Sequence, residues 1–457
     1  MQERERFNSR LGFILVSVGC AVGLGNIWLM PFRAGNYGGG LYILLYLIFA
    51  FILGIPALTA EYTVGRGSRQ TILTHYKTLQ PNNDSWAGAG YLGMAGNYFL
   101  SMFYTTVVGF CMAYFWMALN GTLTGLDAAG SAETFAVLTS SPVSTVGWTW
   151  AVTIIAFAVC FLGLQNGVER IGKNMMMIFF ALLLILIVRA VTLPGAAEGL
   201  AFMFIPRWTE PVAQHGFFTI LHAAMGQALF SLSVGIGCMA VFGSYQNKNK
   251  TILSESNVVA FSDIAAGILC CVMIFPAAFA FGIPVTAGAG LLFVVMPTVL
   301  NAMPGTFFWA VLLYLCFFFV AMTTLFTIYE NIIAMLMDKL GWSRKKSATI
   351  NLIAMMLLCM PAALSFNIWN HIRVLDNLTI SGFFTFLVSD NIIPLGAFFY
   401  ILFCVHKNGW GWENFVAEAN TGTGFKIPVN LRFYVTYVVP GAIMFVYVFG
   451  LISRFIL

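Results

Sequence analysis

Residues 9–31 read SRLGFILVSVGCAVGLGNIWLMP. The stretch is apolar enough for a membrane helix, which needs about 20 such residues. Yet it carries Gly19, Gly23, Gly25, Asn26 and Pro31. Glycine and proline clustered mid-span predict a helix that breaks. A break frees backbone polar groups that hydrocarbon cannot satisfy, so it must line a site buried in protein. Glycines also let membrane helices pack closely, so one cluster does not settle the matter. A second cluster, Ser231, Ser233, Gly235 and Gly237, interrupts the apolar run 216–245.

Working outward, the rest of the chain is equally apolar. Of its 457 residues 60% are hydrophobic and 9% charged, against about 25% charged in soluble domains. Mean hydropathy is +0.87. Eleven runs are long enough to span, near 10–33, 40–65, 88–120, 146–164, 168–191, 216–245, 256–283, 306–338, 347–365, 379–404 and 432–455. A shorter piece at 290–302 reads as a capping or re-entrant helix. The reading is an all-α polytopic membrane protein with 11 transmembrane helices in a single domain, 1–457. Breaks in the first and sixth spans predict two five-helix repeats of inverted topology, 10–191 and 216–404, with 432–455 as an additional C-terminal helix. That is the plan of a transporter with its site at the midplane.

Charge sets the topology. Arg33, Arg189, Arg207, Arg373 and Arg454 fall on one side, and the remaining 17 of the 22 basic residues on the other. The positive-inside rule then predicts a cytoplasmic N-terminus and an outside C-terminus, in a plasma membrane of the bacterial inner-membrane type. The net charge of +5 is a topology signal and implies no nucleic acid. All nine cysteines lie in apolar runs and form no CxxC, so they read as small buried hydrophobes. Five scattered histidines, His75, His215, His222, His371 and His406, form no HExxH motif. No nucleophile–base pair or paired catalytic carboxylates accompany them, so an enzyme is not expected. A channel or an amino-acid-binding sensor on the same fold remains open, and sodium-dependent saturable uptake discriminates them.

The first run resembles the first helix of the neurotransmitter:sodium symporter family, whose hallmark is AVGLGNIWRFPY. Further resemblances follow in order: GGGLYILLYLIFAFILGIPALTAEYTVGR, GVERIGK, GQALFSLSVGIG, FPAAFAFG and FFFVAMTTLFTIYENIIAMLMDKL. They cover nearly the whole chain, and the eleven-span length is similar to that of bacterial amino-acid members. The resemblance implies symport of sodium with a small hydrophobic L-amino acid by alternating access. A different small carboxylate-bearing solute is the alternative.

The resemblance also implies a site. One sodium would take Ala21, Asn26 and Ser231, and a second Gly19, Val22, Val320, Thr323 and Thr324. Hard oxygen ligands suit a small hard cation. The substrate carboxylate would meet Gly23, Gly25 and Tyr104. Monoamine carriers hold an Asp at the position of Gly23. Leu100, Val107, Phe230, Ser233, Ile236, Thr324 and Ile328 would form the side-chain pocket, with Ser231 at its edge and Phe230 as outer lid. No titratable group lines it, so a charged guest would be left unpaired.

Several positions depart from the family. The seventh span places Ser262 and Ala266 where an Asn and an acid or Ser are usual. Asp263 is the one acid within 256–283, and a lone intramembrane acid is expensive and functional by default. It is expected to join the first sodium and replace chloride, so chloride should not be required. Inside, Arg4 and Asp338 match the family's ion pair, with Tyr245 nearby and Phe7 where Trp is common. Outside, Leu29 and Thr379 replace the salt-bridged Arg and acid, which suggests a displaced gate from Arg33 and Asp376. In the fifth span Gly167 is present, but Met177 stands where a Pro is usual.

Overall fold

The computed structural model describes residues 6–283, 290–375 and 377–455. Arg4 and Asp376 lie outside them. Among the described residues the chain is helical, with only two isolated bridges, Gly39 to Pro206 and Lys250 to Thr423. Nine helices are long and apolar enough to cross a membrane. They become ten if α1 (Arg10–Ala21) and α2 (Gly25–Asn36), bent by 48°, count as one span. The others are α3 (Gly40–Ser68), α4 (Asp84–Leu119), α5 (Pro142–Phe161) and α6 (Leu164–Val191). Then follow the shorter α7 (Phe217–Ser231) and α8 (Cys238–Tyr245). The series ends with α9 (Ile252–Ala280), α10 (Thr306–Leu340), α11 (Arg344–Leu364), α12 (Ile380–Val405) and α13 (Val429–Phe455).

The helical path stops at two places. Residues 22–24 separate α1 from α2, and 232–237 separate α7 from α8. The second is written in backbone angles: Ser233, Gly235 and Gly237 all have positive φ, at 51°, 91° and 85°. Glycine adopts these freely and serine does not. The Ser233 hydroxyl donates to the Cys20 carbonyl at 3.0 Å, linking the two interruptions.

Close backbone approach holds this centre. A Cβ on Gly65 of α3 would sit 1.9 Å from the Ala240 carbonyl of α8, and one on Gly243 would sit 2.4 Å from the Tyr62 carbonyl. Small residues let the two helices meet backbone to backbone. Helix α1 is enclosed by α6, α9 and α10, and α7 by α3, α12 and α13. At the end bearing Arg10, the fully buried Arg66 ties α3 to the short helix Trp412–Ala419 through Glu418 at 2.7 Å and to the Lys250 carbonyl at 2.8 Å. All nine cysteines are buried and unpaired.

Five π-helical stretches each precede a proline by two residues. Gly25–Leu29 leads to Pro31, Ala50–Gly54 to Pro56, Leu291–Val295 to Pro297, Phe386–Ile392 to Pro394 and Tyr434–Val438 to Pro440. Proline has no N–H and its ring clashes with the carbonyl four residues back. Widening the preceding turn relieves that clash.

Candidate functional site

The first interruption places Asn26 at the start of α2, fully buried. Its Nδ2 donates to the Asp263 carboxylate at 2.9 Å, to the Asp263 carbonyl at 3.0 Å and to the Ser231 hydroxyl at 3.4 Å. Its Oδ1 accepts from the Gly23 N–H at 3.3 Å. The Ser231 hydroxyl donates to the other Asp263 oxygen. Asp263 therefore lies three turns inside α9, fully buried, and not at a solvated helix start. It is not the sole acid of that helix as expected, because α9 begins at Ile252 and includes Glu255. Glu255 is taken up by Arg10 at 2.9 Å. Ser262 bonds back to Val258 at 2.8 Å, away from Asn26.

A second oxygen cluster surrounds Thr324 on α10. Its hydroxyl donates to the Gly19 carbonyl at 2.9 Å and lies 3.3 Å from those of Val22 and Val320. Thr323 donates to Val320 at 2.8 Å and approaches the Met176 sulfur at 3.4 Å. Residues on α1 and α10 thus bring three carbonyls and two hydroxyls together. An unoccupied threonine bonds back to its own helix, but Thr324 reaches across to another. Hard oxygens of this kind suit a small hard cation; in the first set Asn26 turns its Nδ2, not its oxygen, toward Asp263 and Ser231.

Between the two interruptions lies a cavity lined by Cys20, Ala21, Gly23, Leu24, Gly25, Leu100, Tyr104, Phe230, Ser233, Ile236, Thr324 and Ile393. At one wall the Leu24 N–H donates to the Tyr104 hydroxyl at 3.3 Å. The positive end of the α2 dipole, with a phenol beside it, favours an anion there. The rest of the lining is mostly apolar, from Leu100, Phe230, Ile236 and Ile393. Ser231 faces Asn26 and Asp263 and is not part of this lining. Val107 and Ile328 are buried one turn along α4 and α10 from Tyr104 and Thr324, and do not line the cavity; Leu24 and Ile393 do.

Several polar residues of this centre had no role assigned to them from sequence. Glu61 of α3 is fully buried and accepts from the N–H groups of Gly235 at 2.5 Å, Met239 at 3.1 Å and Ala240 at 3.4 Å. It caps α8, as the dipole favours. Asn97 donates to the Ile236 carbonyl at 2.6 Å and accepts from Asn331 at 2.7 Å. Gln227 donates to the Gly25 carbonyl at 2.8 Å. The signal for all three was a polar side chain inside an apolar run.

Toward the Arg10 end, Tyr245 packs edge-on against Phe7 at 6.0 Å and donates to Glu330 at 3.1 Å, which Arg344 grips with two bonds. Asp338 accepts from the Thr71 N–H at 2.7 Å. At the opposite end Leu29 is buried, and Thr379 caps α12 by accepting from Gly382 at 3.2 Å. Arg33 meets Asp390 at 3.4 Å and the Ala223 carbonyl at 3.1 Å. Asp390 was not anticipated. Met177 is 47% exposed, whereas its neighbour Met176 is buried against Thr323.

The chain is similar along nearly its whole length to known proteins. The model of the sodium:neurotransmitter symporter family matches residues 4–135 and 137–455. The chain is 30% identical over 449 residues to an uncharacterized sodium-dependent transporter, YhdH, of Bacillus subtilis, covering 98% of this chain and 97% of that one. It is 29% identical to an uncharacterized sodium-dependent transporter of Haemophilus influenzae, over 98% of this chain and 99% of that one. The crystal structure of MhsT in complex with L-phenylalanine superposes with a TM-score of 0.90 at 31% identity, over 98% of this chain and all of that one.

Proposed function

The chain belongs to the sodium:neurotransmitter symporter family, and we propose that it couples inward sodium flow to uptake of a small hydrophobic L-amino acid. It is a sodium-dependent membrane transporter and not an enzyme. In the proposed topology α1 with α2 forms one span and α7 with α8 another, giving eleven. The spans to α6 and those from α7 to α12 are two inverted repeats, and α13 is the additional helix. The N-terminus is cytoplasmic, the C-terminus outside, and the membrane is a bacterial inner membrane.

Asn26, Ser231, Asp263 and the Ala21 carbonyl hold one sodium. The carbonyls of Gly19, Val22 and Val320 with Thr323 and Thr324 hold the other. The Asp263 carboxylate supplies the negative charge at the first site, so chloride is not required. The substrate carboxylate lies at Gly23, Gly25 and Tyr104, and the side chain against Leu100, Phe230, Ser233, Ile236 and Ile393, with Val107 and Ile328 behind them. Arg4 and Asp338 close the inner side beside Tyr245.

One observation carries the substrate class. The cavity joins an anion-favouring wall at Gly23, Leu24 and Tyr104 to an apolar lining of Leu100, Phe230, Ile236 and Ile393 with no titratable group. A relative of the same fold holding L-phenylalanine supports an amino acid over another carboxylate. Uptake by purified protein in proteoliposomes, with sodium or potassium gradients and a panel of twenty amino acids, tests the reading. Saturable, sodium-dependent uptake of aliphatic or aromatic members is expected. Binding without uptake makes the chain a sensor instead, and flux that does not saturate makes it a channel.

A further inference from the structure

Arg33, Ala223 and Asp390 form a layer beyond the cavity on three elements. Arg33 lies seven residues past Asn26 on α2, and Ala223 seven before Phe230 on α7. Both are about 10 Å further along their helices, at 1.5 Å per residue. Asp390 lies three residues before the cavity residue Ile393 on α12. Arg33 bonds to both other members, so its guanidinium spans the mouth of the site.

The layer has a fourth member from outside the proposed repeats. Arg454, in the last turn of α13, reaches the other oxygen of Asp390 at 3.6 Å. The face of Phe386 lies 4.2 Å from its guanidinium, a favourable cation–π contact. The same end of α13 is fixed to α7: Ser453 bonds to Thr219 at 3.0 Å, and the His222 ring packs on Gly450 so tightly that a Cβ there would fall 2.1 Å from it. The proline-linked π stretch Phe386–Ile392 contains Asp390, and such widened turns recur at functional positions.

We propose that Asp390 is the outer-gate carboxylate of this transporter, and that α13, through Arg454, is part of the gate. Arg33 and Asp390 do the work that Leu29 and Thr379 cannot. Contacts of 3.4 and 3.6 Å are looser than tight charge-assisted bonds, so they close the mouth without locking it. Arg454 holds the other Asp390 oxygen. Release of Asp390 from Arg33 lets α2 and α7 separate from α12, while Asp390 keeps one cationic partner. This rests on the symporter reading above.

The test uses full-length protein in proteoliposomes with a reporter cysteine at Ile393, labelled from outside by a membrane-impermeant maleimide. Native Cys20 lines the same cavity, so each variant is compared with its own counterpart lacking the reporter, which gives its background. D390N and R33Q are each expected to speed labelling roughly fivefold or more, and the double variant no further, since residues in one contact network are not additive. R454Q should speed it in the native background and leave D390N unchanged, while D390E restores slow labelling. Additive effects, or R454Q labelling at the unaltered rate, overturn the proposal. A monodisperse size-exclusion profile in detergent shows that each variant is folded. Failure of the unaltered protein to take up any amino acid with sodium would instead sink the symporter reading, and the labelling cycle reads independently of that.

Discussion

Gly23 has room for a hydrogen and nothing larger. A Cβ there would lie 2.5 Å from the Thr324 hydroxyl and 2.7 Å from the Tyr104 hydroxyl. G23A is therefore expected to abolish uptake, by more than about tenfold, while leaving expression and thermal unfolding near those of the unaltered protein. Asp263 permits a sharper test. D263N keeps shape and loses charge, so sodium affinity in an equilibrium binding titration should fall by about tenfold or more. Added chloride should recover part of it. Unchanged sodium affinity with no chloride demand would exclude Asp263 as the first-site ligand. These residues were legible from sequence because a long motif fixes Asn26 and Ser231, and Asp263 stood out as an acid in an apolar run. Asp390 and Glu61 were not read, because their roles depend on what lies across from them. Glu61 matters only because α3 runs beside the end of α8.

The recurring element is the widened turn before a proline. Pro394 sits four residues after Asp390, whose carbonyl a regular helix would drive into the proline ring. P394A removes that clash and lets the turn tighten toward 3.6 residues, rotating Asp390 by up to about 100° away from Arg33. Uptake should fall severalfold. P440A, in the π–proline stretch of α13 away from Arg33, should leave uptake within about twofold of normal. The pattern was hidden in sequence since a proline in a membrane helix can equally well kink it or open a turn. The opposite device, a capped helix start, is seen at α8. E61Q offers three N–H donors one oxygen and an unwanted NH2 group. The loss should be about 1–3 kcal/mol, read as a lower unfolding temperature in detergent with the Gly235 segment as the first region to exchange amide hydrogens.

At the scale of the whole molecule, two oxygen clusters and a cavity lie around two breaks, and residues 19–26 contribute to all three. If sodium and substrate meet at the proposed first site, whatever factor sodium adds to amino-acid affinity, the amino acid must add to sodium affinity. Paired titrations should give equal factors within error, and unequal ones would mean that the sites do not interact through one binding equilibrium. The eleven apolar runs are each met by helix, with edges within several residues. Hydropathy alone could not say that the run at 216–245 is two short helices, because a glycine-rich apolar segment has the same composition whether wound or not. The positive φ angles of Ser233, Gly235 and Gly237 carry that information, and only the glycines among them suggest it.

The interruption between α7 and α8 is already provided for. Glu61 takes the Gly235 N–H, Asn97 donates to the Ile236 carbonyl, and Ser233 reaches the Cys20 carbonyl. An arriving guest therefore has no loop to organise. Calorimetry of amino-acid binding should then show a small negative heat-capacity change, in proportion to the apolar surface of one side chain, and without the far larger change that accompanies folding of a segment on binding.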